Sequence, residues 1–88
     1  MKVEFRESFA KDLKAVGDKG LLRRVREVIE AVERANSLTE LPNLKKLKAG
    51  GSYFRLRVGE YRAGIALDRD TVIFLRLLNR KDIYKHFP

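Results

Sequence analysis

Residues 53–58, 61–68 and 71–78 are three β-patterned runs, and only two residues separate each run from the next. Spacing that short permits nothing but hairpins, so this half of the chain has to be an antiparallel meander. The turns are Gly59-Glu60 and Arg69-Asp70. Glycine in the first turn position suits a type II′ hairpin, which needs positive φ there. That turn fixes a register with Val58 opposite Tyr61, Arg57 opposite Arg62 and Leu56 opposite Ala63. Period-two alternation then puts Phe54, Leu56, Val58, Ala63, Ile65 and Leu67 on one face. Arg55, Arg57 and Arg62 share the other. The third run, TVIFLRLL, is apolar on both faces, as a central strand is. Continued alternation assigns Ile73, Leu75, Leu77 and Asn79 to the arginine face.

Upstream the period is different. Residues 1–5 alternate and read as a short strand. Ser8 is placed to cap a helix carrying Phe9, Leu13 and Val16, which Gly17 ends. A longer helix spans about 21–35, with Leu22, Val25, Ile29 and Val32 as its apolar stripe and Asn36 as a left-handed stop. Residues 36–51 are the main connection, broken at Pro42, tacked down by Leu38, Leu41, Leu44 and Leu47, and ending in a Gly50-Gly51 loop. The expected fold is α+β: strand, two helices, three-strand antiparallel meander, with the helices on one sheet face. At 88 residues it is one domain, 1–88. The tail, 79–88, is too short to assign.

The other sheet face is left for function, and charge says what function. The chain carries 20 Lys and Arg against 12 Asp and Glu, a formal net charge of +8. Like charges directly across a strand pair destabilise it, and no acidic neighbour stands between Arg57 and Arg62. Folding alone does not ask for that arrangement, whereas guanidinium forks match phosphate oxygens. Arg80, Lys81, Tyr84, Lys85 and His86 follow the third run, and Lys45, Lys46 and Lys48 precede the first. A tyrosine here can stack on a base or donate to a phosphate. The face therefore reads as a grip for nucleic acid, RNA before DNA. With no cysteine and one histidine, neither a disulfide framework nor a metal site is expected, and nothing implies a cofactor. The N-terminal residues lack the apolar run of a signal peptide, so a cytoplasmic protein is expected.

Two stretches, LKKLKAGGSYFRLRVGEYRAGIAL and LLNRKDIYKHF, resemble the hairpin and the C-terminal segment of the RelE/ParE superfamily of toxins from prokaryotic toxin–antitoxin modules. The resemblance covers essentially the whole chain and implies a compact microbial-RNase-like fold. It implies a toxin whose partner is a RelB-like antitoxin. For the RelE-like branch it implies cleavage of mRNA in the ribosomal A site by 2′-hydroxyl attack on the adjacent phosphate. For the ParE-like branch it implies inhibition of DNA gyrase. A third reading is a catalytically inactive RNA- or antitoxin-binding relative. Residues that correspond to the RNase branch's site are Arg55, Arg57, Arg62, Arg80 and Tyr84, with His86 as a substitute for the tyrosine. The best-studied members have lysines where Arg55 and Arg57 stand. Arginine cannot act as a base at neutral pH, so these two are expected to clamp charge.

Overall fold

The computed structural model describes residues 1–48 and 51–88; Gly50, read above as loop, lies outside them. Among the described residues the strands are β1 (Lys2–Phe5), β2 (Leu44–Lys46), β3 (Tyr53–Val58), β4 (Tyr61–Asp68) and β5 (Thr71–Asn79). The helices are α1 (Glu7–Lys14), α2 (Lys19–Arg34) and α3 (Arg80–His86). The strands form one sheet in the order β1-β5-β4-β3-β2. β1 lies parallel to β5, with Lys2 beside Thr71 and Phe5 beside Phe74. The other neighbours are antiparallel. The meander thus has the pairing its two-residue turns require, and the doubly apolar β5 has a neighbour on each side.

α1 and α2 cover one face. Phe9, Leu21, Val25 and Val32 from the helices are buried against Leu56, Val58, Ala63, Ile65, Val72 and Phe74. Helix ends depart from expectation. α2 begins at Lys19 because Asp18 caps it, its carboxylate accepting from the Gly20 and Leu21 amides at 2.8 and 3.2 Å. Ser8 is not a cap: it lies inside α1, and its hydroxyl donates to the Leu75 carbonyl at 2.6 Å. Asn36 is not left-handed, because α2 ends in extended backbone at Ala35.

Leu77 and Asn79 are on the helix side, not the arginine side. The pairing runs Ile65 with Phe74 but Gly64 with Arg76, which leaves Leu75 unpaired as a bulge. One extra residue reverses the alternation beyond it. Leu77, opposite Ala63, therefore joins the helix-side core, and Leu78 turns to the arginine face.

The arginine face is only partly open. Asn79 accepts from the Lys81 amide at 3.0 Å and starts α3, which folds back across the sheet. Its Ile83 and the following Phe87 are buried with Leu47, walled by Tyr53, Leu75 and Leu78. Phe87 seats on Gly64, where a Cβ would meet its ring at 2.7 Å. α1 is tied to β5 where β1 stops. The Asp12 carboxylate accepts from Arg76 Nε at 2.7 Å and from the Leu77 amide at 2.9 Å. That hydrogen bond holds the Arg76 guanidinium above its ordinary pKa, despite some desolvation. The pair is mostly shielded, with Asp12 13% and Arg76 30% exposed. Asp12→Ala would orphan both donors, and a loss of about 2–3 kcal/mol is expected in urea unfolding. A loss under about 0.5 kcal/mol would show that the tie is idle.

Candidate RNA-binding cleft

The hairpin sets Arg57 opposite Arg62 and Arg55 opposite Gly64. β2, an edge strand too short to show a period, adds Lys45 opposite Arg55. Asn43 precedes it in left-handed backbone, φ 63°, and its carbonyl accepts from the Arg57 amide at 3.1 Å. From across the sheet α3 contributes Tyr84. Asn43, Lys45, Arg55, Arg57, Arg62 and Tyr84 line one small cleft of about 50 Å³. Three arginines and a lysine line it, with no carboxylate among the lining residues.

The cations are held differently. Arg55 sits over the Tyr84 ring, its guanidinium carbon 4.3 Å from the ring centroid. Its Nε is buried with no partner, a donor that an incoming acceptor would satisfy. Arg62 turns toward the hairpin end and donates to the carbonyls of Gly59 at 3.0 Å and Tyr61 at 2.9 Å. Those carbonyl dipoles offset its repulsion with Arg57, which is exposed and makes no such bond among the described residues. Gly59 makes the turn possible with φ 58°, a conformation that L side chains rarely adopt. A Cβ at that point would stand 2.7 Å from an Arg24 guanidinium nitrogen. Tyr84 is 66% exposed, so most of its ring is accessible.

The remaining candidates lie outside the cleft. The Arg80 amide donates to the Glu60 carbonyl at 2.9 Å, and its Nε pairs with the Glu60 carboxylate at 3.2 Å. That puts Arg80 at the hairpin end, beside the cleft. Their side chains are 53% and 72% exposed, so the pair contributes little to stability. His86 follows Tyr84 by two positions, which puts it about 160° away around the helix axis. With Tyr84 facing the cleft, His86 is on the opposite flank of α3, exposed. Lys81 and Lys85 occupy α3's outer side, and Lys46 and Lys48 are exposed near β2. Sequence reasoning did not single out Asn43. Its only advance signal is its type, since asparagine is among the few residues that tolerate left-handed backbone.

Comparison with known proteins identifies the family that shares this fold. The family model for the ParE toxin of the type II toxin–antitoxin system parDE matches residues 3–84. Toxin RelE3 of Methanocaldococcus jannaschii is 46% identical over 89 residues, covering 100% of both chains. The crystal structure of the RelB–RelE antitoxin–toxin complex from Methanococcus jannaschii contains a chain that superposes with a TM-score of 0.81. It is 42% identical, with 97% of this chain and 99% of that one covered. A chain of the archaeal RelE–RelB complex from Pyrococcus horikoshii OT3 has the same fold, with TM-score 0.74, 24% identity, and coverage of 90% and 93%. The chain belongs to the RelE/ParE superfamily of type II toxin–antitoxin toxins.

Proposed function

We infer that this toxin is a metal-independent endoribonuclease that cleaves mRNA in the ribosomal A site. The observation that carries the reading is the cleft itself: Arg55, Arg57 and Arg62 converge with Tyr84 where no carboxylate lines the wall. In the proposed reaction the 2′-oxygen bonds to the adjacent phosphorus and the bond from phosphorus to the 5′-oxygen breaks. A 2′,3′-cyclic phosphate and a 5′-hydroxyl result. Arg57 and Arg62 stabilise charge on the pentavalent phosphate. Arginines hold their protons, so the groups in the cleft able to exchange one are Lys45 and Tyr84. Tyr84 takes the 2′-hydroxyl proton or stacks on a base, and Lys45 gives a proton to the leaving 5′-oxygen. Arg80 reaches the phosphate from the hairpin end once released from Glu60. Lys46, Lys48, Lys81 and Lys85 hold flanking phosphates.

The partner is a RelB-like antitoxin. Relatives in the Methanococcus jannaschii and Pyrococcus horikoshii complexes are held by RelB. A second reading, inhibition of DNA gyrase, draws on the ParE model matched at residues 3–84. A protein-binding inhibitor has no use for a phosphate clamp, which places it second. Mapping cleavage sites on mRNA bound to programmed ribosomes, beside a gyrase supercoiling assay, separates the two. Cuts within A-site codons with supercoiling untouched are expected; lost supercoiling with intact mRNA would reverse the order. Binding should also be steeply salt-dependent. If three phosphates are neutralised, affinity falls on the order of tenfold between about 50 and about 200 mM salt. A flat response over that range would remove the basic cleft from the account.

A further inference from the structure

A groove of about 270 Å³ adjoins the cleft around the edge of β3, and Asn43 and Arg57 line both. Its walls are apolar: Val28 and Ala31 from α2, Leu41 and Pro42 from the connection, Leu56 and Val58 from β3. Its polar groups are few. Arg24, Glu27, Asn43 and Arg57 supply them. β2 stops opposite Leu56, so beyond the Arg57–Asn43 hydrogen bond no strand closes the way between the two spaces.

We propose that this groove is a nucleobase subsite, taking the base of a nucleotide next to the phosphate held in the cleft. The inference rests on the RNA-binding reading and adds a site to it. Three features select the ligand. The cavity is smaller than the roughly 300–1,000 Å³ typical of pockets for drug-sized molecules, and its walls suit a flat apolar body. Arg24, whose guanidinium lies beside Gly59, lines this groove, and Arg57 lines both spaces from the cleft face, so a cation stands on either side for the phosphates that flank a nucleoside within a strand. Glu27 accepts a hydrogen bond and the Asn43 amide both donates and accepts, so the edge to be read carries an amino group. An aliphatic protein side chain would use the walls alone, and an acidic peptide would set its carboxylates beside Glu27. Cytosine, adenine and guanine, which carry an exocyclic amine, are therefore preferred over uracil.

The test titrates the isotope-labelled full-length toxin with RNA tetramers whose 2′-oxygens are methylated to block cleavage. The series varies one base, and one member carries an abasic nucleotide there. Cytosine-, adenine- and guanine-bearing oligomers are expected to move the signals of Val28, Asn43 and residues 56–59 together with those of Arg55 and Tyr84. The abasic oligomer should bind roughly tenfold more weakly and leave the groove signals still. Glu27→Gln should level the preference between cytosine and uracil while the cleft signals still respond. Responses at Arg55 and Tyr84 with a silent groove, or equal binding of the abasic oligomer, would overturn the subsite and spare the cleft. Silence in both places would overturn the RNA reading itself. A groove that answers only to RelB, and not to RNA, would make it a protein contact and also overturn the proposal.

Discussion

Arg62→Ala is expected to lower mRNA cleavage by about a hundredfold or more, the scale seen when a donor to transition-state charge is removed. The domain should stay folded. Arg62 is on the cleft face, so truncating it opens no void in the helix-side core. Opposed arginines alone would suggest a gain in stability from the change. The structure alters that expectation, because the Arg62 guanidinium also bonds two turn carbonyls. Relief of repulsion and loss of those bonds are of similar size, each about 0.5–1.5 kcal/mol, so the melting temperature should barely move. Cleavage on programmed ribosomes, run beside a thermal melt, checks both halves. Full activity in a well-folded Arg62→Ala protein would mean that the cleft is not the active site, and gyrase would become the first target to examine. In the same assay Tyr84→Phe costs little if the ring only stacks, and as much as Arg62→Ala if the hydroxyl moves the proton.

The second large effect belongs to a residue with no side chain. Gly64→Val puts branched carbons where the Phe87 ring sits, since even a Cβ would meet it at 2.7 Å. The ring cannot yield without lifting α3 and exposing Ile83 and Leu47. A cost of about 1–3 kcal/mol is expected, concentrated in this element because the helix-side core lies on the other face. Activity should fall much further than stability, because α3 carries Tyr84 and Tyr84 supports Arg55. Hydrogen exchange should show fast amides at 83–87 with β3 and β4 still protected. Wild-type cleavage with a displaced α3 would show that Tyr84 and Arg55 act without each other.

The hairpin was legible because its turns leave no freedom: two residues and a glycine fix the register, and the register puts Arg57 opposite Arg62. Two features escaped for definite reasons. The bulge at Leu75 is invisible in TVIFLRLL, since a run apolar on both faces gives no phase to lose. β2 has only three residues, below the length at which alternation is recognisable. α3 was different, for its signals were present. Asn79 caps it, Asp82 stands in the first turn, and Ile83 and Phe87 are i and i+4. Those four residues spell a one-face helix that the brevity of the tail obscured. The cleft's membership followed from these omissions: Lys45 and Tyr84 sit on the two elements that sequence alone had not placed.

The parallel pairing of β1 with β5 has a consequence for the order of events during synthesis. β1 is made before the other strands, but Lys2 has no strand partner until Thr71 has been made. Non-local pairing of this kind is slow, because loop-closure entropy is lost before any contact compensates. The β3–β4 hairpin is local, and its register needs nothing outside residues 53–68. A nascent chain therefore acquires the arginine pair early, on a hairpin with no core behind it. Tyr84 and Phe87 are made after β5. The full cleft therefore waits on a segment made after every strand of the sheet, although its arginine pair is in register long before.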